Sequence, residues 1–369
     1  MPSLKSPCSA PSPQAPSKKR FRFKSSKYQA QESPLSSNTG SEETPEISTE
    51  KQGSTPDIFN PNHGSISIPD LKLFHHYVTE AYRTLADQSM DRNRVWQTHL
   101  PQWGFSSPSI FHLILALSAL HLGYLQPELR DQYVMQADSH FTFGIRSVTA
   151  VLSKLDPENC QLIYMSAVLI CLVYFGHGPR LGEYLVFGET GKAEWLVLMR
   201  GVRSILHAHR SKIFTGVLEP QPDPSIQGVG PLLQDELCQQ KYHVEKVRQL
   251  IDSQHLDVDT HIMYAGAIDN LLEMFEEAYA FRSAGKDGIC VLHVVVGWIY
   301  RRPEEFINLL EAKDPLAMVV LAHWCMLLKF MRSSWLMVGW DEHVIRGIQT
   351  SLRADYRGWI SWPVSFIQS

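Results

Sequence analysis

The chain has 369 residues, 44% of them hydrophobic and 20% charged, with a formal net charge of −4 and six cysteines. At about 150 residues per domain, that length allows two domains or one large domain with a tail. These proportions exclude a collagen, a wholly disordered chain, a basic nucleic-acid binder taken as a whole and a disulfide scaffold, and they name no function.

Residues 1–66 differ from the rest. They are rich in Ser, Pro, Thr and Gln and poor in aliphatic residues. Such a segment buries too little apolar surface to offset its ordering entropy, so a disordered tail is expected. Its charge is segregated: seven basic and no acidic residues up to Lys27, then six acidic and one basic from Tyr28 to Asn60. The cluster Lys18, Lys19, Arg20, Arg22 and Lys24, with Phe21 and Phe23 between, reads as a nuclear-import signal or a phosphate-backbone contact; a merely solubilising tail is the alternative. No secretory signal is expected, because the first 27 residues hold no apolar core segment.

From Ile68 the pattern turns helical. Pro69-Asp70 opens an amphipathic stretch to about Ala86. Ser109–Tyr124 is apolar on nearly every side, as in a helix buried all round. A third helix is expected from Glu128 to Lys154, a buried one over Cys160–Phe175 ended by Gly176-His177-Gly178-Pro179, and another over Ala193–His209. Neither long apolar run reaches the roughly 20 residues of a membrane span. Residues 212–236, dense in Gly and Pro, read as a long loop. Helices resume near Glu236. In Met263–Phe281, residues Ile268, Leu271, Leu272, Phe275 and Tyr279 share one face. Val291–Ile299 is ambiguous between strand and helix. Leu316–Met331 is a buried helix started by Asp314-Pro315, and Asp341–Leu352 is a last amphipathic one. The expected fold is all-α, with a disordered tail over 1–66 and one large helical domain over 67–369.

No catalytic motif emerges. HExxH, GxSxG, a P-loop and GxGxxG are absent. Gly188-Glu-Thr-Gly191-Lys192 lacks the spacer and the Ser/Thr of a phosphate loop. There is no CxxC, so zinc-finger and redox spacings are missing. Cys160, Cys171 and Cys325 lie in apolar surroundings and read as buried hydrophobes. His75-His76 and His207/His209 point to different helix sides, and His112, His121 and His323 read as core histidines with hydrogen-bond partners. The carboxylates Asp269, Glu273, Glu276 and Glu277 lie away from their helix's apolar face, which disfavours a bundle metal site. Neither a metal nor a cofactor is expected, and weight moves from an enzyme to a binding or regulatory protein.

Five stretches carry a resemblance. They are Leu71–Tyr77 with Val95-Trp96 and Leu100-Pro101; Leu113–Leu122 ("LILALSALHL") with Tyr133, Ala137 and His140; Trp195–Val202 ("WLVLMRGV"); Asp314–Trp324 ("DPLAMVVLAHW"); and Trp335–Trp340 ("WLMVGW") with Trp359–Pro363. In this order they resemble the regulatory region of fungal zinc-cluster (Zn2Cys6) transcription factors of the sterol uptake control type. The resemblance implies an all-helical regulatory domain in a nuclear, and also cytoplasmic, regulator of a lipid or secondary-metabolite pathway. It implies other transcription factors or co-regulators as partners, a sterol or other apolar ligand, and a homodimer, although no heptad seam is visible. The closing aromatics mark Trp335, Gly339 and Trp340 as candidate walls of an apolar pocket; packing of the core is the alternative. One departure stands out. The family reads DNA through six closely spaced cysteines, whereas only Cys8 precedes residue 160 here. Contact with DNA is therefore expected only through a partner or through a zinc cluster encoded upstream. A lipid sensor or accessory protein acting through a partner is the competing reading, and an enzyme of unknown class a third.

Overall fold

The computed structural model describes residues 67–152, 155–189 and 192–369. The disordered-tail expectation, the Lys18, Lys19, Arg20, Arg22 and Lys24 cluster, and Gly191 of the phosphate-loop look-alike lie outside the described residues.

Helix α1 (Ile68–Thr79) begins at a reciprocal cap: Ser67 Oγ accepts from the Asp70 N–H while the Asp70 carboxylate accepts from the Ser67 N–H. It stops sooner than its amphipathic pattern implies, passing into a 3₁₀ turn at Ala81–Thr84. A π-helical turn at Val95–His99 leads into α2 (Leu100–Ser106), which the sequence reading did not separate. Next come α3 (Pro108–Leu125), α4 (Arg130–Leu152), α5 (Cys160–Gly176) and α6 (Glu194–Ile213). The apolar α3 is long enough by composition to cross a bilayer, yet 72% of it is buried inside the bundle. Around it pack α1, α2, α4 and α5.

The second half holds α7 (Pro231–Asp252), α8 (Val258–Ser283), α9 (Leu292–Tyr300), α10 (Glu304–Glu311), α11 (Pro315–Lys329), α12 (Trp340–Ser351) and α13 (Ser361–Gln368). Asp314 caps α11 by accepting from the Leu316 and Ala317 N–H groups, both at 3.1 Å. Helix α11 is the centre of this half, contacted by α7, α8, α9, α10, α12 and α13.

Two expectations need correction. The expected long loop at 212–236 ends at Gly230, because Pro231 suits the first position of α7, where no backbone N–H is needed. The ambiguous run 291–299 is helical. Its β-branched side chains lie between α8 and α11, where Trp298 donates to the Ala267 carbonyl at 3.0 Å and Trp324 to the Val295 carbonyl at 3.0 Å. Packing there overrides the strand preference of valine. Among the described residues there are only isolated β-bridges, joining Arg180 to Glu183 and Glu183 to Gly188. The buried apolar residues from α1 to α13 form one continuous core.

Candidate ligand-binding cleft

A cleft of about 520 Å³ opens where the two halves meet. Five segments build it: residues 85–96 between α1 and α2, the middle of α5, a strap at 214–221, the end of α8 and the start of α9. Leu85, Trp96, Met165, Val168, Phe281 and Leu292 make its walls largely apolar.

Two of the polar groups around it hold the walls. Asp91 accepts from the N–H groups of Val95 (2.6 Å) and Trp96 (3.0 Å), which fixes the turn into α2. Asn93 donates to the Val217 carbonyl at 3.0 Å. No Lys or Arg lines the cleft, whereas Asp87, Asp91 and Glu219 do. The one lining histidine, His293, faces Glu277 at 3.6 Å, so the three carboxylates disfavour an anionic ligand and an uncharged apolar molecule fits the chemistry best. Burial pushes the Cys290 thiol up to about 11, with the nearby Asp87 carboxylate adding to it, so this cleft cysteine is protonated at neutral pH.

Behind one edge lies an ion cluster. Lys286 Nζ donates to Asp87 Oδ2 (2.8 Å), to Ser89 Oγ (2.6 Å) and to Asp223. Burial alone would lower the Lys286 pKa, but the two carboxylates raise it. Burial would likewise raise Asp87, yet the Lys286 hydrogen bond holds it below the usual range; the same bond depresses Asp223.

The candidate pocket residues lie elsewhere. Trp335 is 8% exposed and Trp340 fully buried, and none of Trp335, Gly339 and Trp340 lines the cleft. Trp335 donates to Thr84 Oγ1 at 2.9 Å and lies tilted against His121, its ring centroid 5.2 Å away. Its ring also lies so close to Gly176 that an added Cβ there would sit 3.0 Å from Cζ3. Trp340 donates to the Phe175 carbonyl at 3.2 Å and stacks on Tyr174. Gly339 turns the chain between them at φ +77°, in the left-handed region that favours glycine. The three form a wedge tying the second half of the bundle to the first.

The histidines separate. His323 is buried and hydrogen-bonded to the Val319 carbonyl at 2.9 Å, a core histidine with its partner. His112 and His121 are each paired with another histidine: His112 Nδ1 lies 3.0 Å from His140 Nδ1, and His121 Nδ1 lies 3.0 Å from His76 Nε2. The four carboxylates on α8 do not converge. Asp269 pairs with Arg248, Glu276 with Lys241, Glu277 with His293, and Glu273 accepts from Asn270. Sequence reasoning missed Lys286, Asp87 and Asp223. The available signals were two Asp-x-Ser turns, Asp87 with Ser89 and Asp223 with Ser225, whose serine N–H groups donate to the aspartate.

Residues 72–229 match the family model described as the fungal specific transcription factor domain. The chain is 25% identical over 147 residues, 39% of its length, to sterol uptake control protein 2 of Saccharomyces cerevisiae, covering 16% of that protein. It is 22% identical over 328 residues, 82% of its length, to a Zn(2)-C6 fungal-type transcription factor of Gibberella zeae, covering 62% of that one. Sterol uptake control protein 2 of Candida albicans is 24% identical over 144 residues, 39% of this chain and 20% of that protein. The chain thus spans less than two thirds of each of these relatives. The match to the family model ends at residue 229, after the strap, so the far wall of the cleft, on α8 and α9, lies beyond it.

Proposed function

With residues 72–229 carrying a fungal specific transcription factor domain, we propose that the chain is a transcription regulator acting through its helical bundle rather than an enzyme. The carrying observation is the family match, together with relatives along the chain that bear transcription-factor names. The chain works in the nucleus, with Lys18, Lys19, Arg20, Arg22 and Lys24 directing import, and meets DNA through a partner transcription factor or a zinc cluster outside this sequence. Residues 67–369 are its regulatory domain. Fusing the chain to an unrelated DNA-binding module tests this: transcription of a reporter bearing that module's site should change several-fold in either direction. Unchanged reporter output, with the fusion present in the nucleus, overturns the reading.

A second reading concerns what sets the regulator's state. The apolar cleft without Lys or Arg supports sensing of an uncharged lipid, and the sterol named in two relatives makes sterols the first class to try. A sterol at 100 times its dissociation constant stabilises the fold by about 2.7 kcal/mol. A sterol panel that leaves the melting temperature unmoved removes this reading and leaves the first intact.

A further inference from the structure

The strap at 214–229 forms one side of the cleft and is held in an unusual way. Its only regular element is a single 3₁₀ turn at Gly216–Leu218. Both ends are fixed to helices. Gln161 on α5 donates to the Ile213 carbonyl at 2.8 Å and the Thr215 carbonyl at 2.9 Å, and the Gly230 N–H donates to Ser283 Oγ on α8 at 3.0 Å. Between these anchors two polar tethers close the strap: Asn93 to the Val217 carbonyl, and Lys286 to Asp223.

The Lys286 tether joins three separate parts of the chain. Asp87 is 199 positions away and Asp223 is 63. The side chains are 14% exposed for Lys286, 15% for Asp87 and 10% for Asp223. A cation this buried needs its partners, because an uncompensated charge there is costly. Of the cluster only Asp223 belongs to the strap, so moving the strap takes that carboxylate away and leaves Lys286 with Asp87 and Ser89.

We propose that residues 214–229 are a hinged lid over the apolar cleft and that the Lys286–Asp223 pair is its latch. Opening swings Val217 and Leu218 away from the cavity while the anchors at Gln161 and Ser283, and Phe214 between the two anchored carbonyls, stay in place. This rests on the cleft being a binding site and concerns access to it. Ligand exchange then follows latch opening, and a ligand that fills the cleft under the closed lid strengthens the latch.

Cys290 lines the cleft and reports on the lid without any ligand. In the full-length chain, labelling by N-ethylmaleimide is followed by peptide mass spectrometry, comparing wild type with Asp223→Asn and Lys286→Met. Cys290 labelling should rise by about tenfold in both, as expected for local opening of one segment. Cys238, which is exposed, should keep its rate, and Cys160, Cys171 and Cys325, which are buried, should stay protected. Chemistry alone predicts the opposite direction in Lys286→Met. The lysine lowers the Cys290 pKa, so removing it leaves less thiolate and slower labelling. An unchanged Cys290 rate in Asp223→Asn overturns the latch. So does a rise shared by Cys160, Cys171 and Cys325, because that is loosening of the whole bundle. A positive labelling result with no response to any sterol removes the lipid reading and keeps the lid.

Discussion

His76 Nε2 and His121 Nδ1 face one another at 3.0 Å between α1 and α3, with the indole of Trp335 against the His121 ring. One nitrogen donates and the other accepts, so the contact requires at least one neutral imidazole. A second junction joins three helices: Asp70 on α1 lies 3.3 Å from His140 on α4, whose other nitrogen contacts His112 on α3.

These junctions make stability depend on pH. Burial pushes His121 down to about 4, with the His76 charge adding to it, and burial also lowers His76, His112 and His140. Glu80 opposes the shift at His76 while His75 adds to it, and Asp70 opposes it at His112 and His140. The unfolded chain binds protons near pH 6.5, before the folded one does. Stability is therefore full above that pH and falls as pH drops toward 4, by about 3 kcal/mol for His121 alone. Urea unfolding at pH 7.5 and pH 5 measures the loss, and His121→Phe should give a shallower dependence.

Removing the Trp340 ring should cost about 3–5 kcal/mol, as for other fully buried tryptophans. Trp340→Ala leaves a cavity beside Tyr174 and Phe175 and deletes the bond to the Phe175 carbonyl. Denaturant unfolding of the full chain reads the difference, and Trp340→Phe should lose clearly less.

Asp341 is 1% exposed and paired with Arg332, which also donates to the Ile367 carbonyl at 2.6 Å. Arg332→Met leaves a buried carboxylate alone and frees the end of α13; a loss of about 3–5 kcal/mol is expected. Adding Asp341→Leu removes the stranded charge. The double variant should recover part of that loss in the same unfolding measurement.

Filling the cleft separates binding from folding. Val168→Phe projects bulk from α5 into the cavity at a partly exposed position, so stability should change by less than about 1 kcal/mol. Any sterol that raises the melting temperature of the wild type should lose that effect in the variant.

The sequence made the helices buried all round easy to see, because α3, α5 and α11 are apolar on every side and nothing else fits such a run. Boundaries were legible where a cap is local, as at Asp314-Pro315, and less so for α9, whose valines look the same in a strand. The cleft was not legible. Its walls come from segments up to about 200 positions apart, and its ion cluster joins a turn, a loop and a helix end that share no periodicity. The closing tryptophans drew attention as pocket walls, since sequence alone does not distinguish an aromatic that lines a space from one that fills it.

The wedge has a consequence for how the protein is made. Trp335 reaches back 251 positions to Thr84, and Trp340 reaches back 165 to Phe175. During synthesis the first five helices leave the ribosome well before residues 335–340 exist. Their seats at Thr84, Gly176 and Phe175 wait uncovered until residues 335–340 have emerged. Such late, long-range closure slows folding and leaves apolar surface open to chaperones and to neighbouring nascent chains. A chain that stops before residue 335 would have a first half with no keystone.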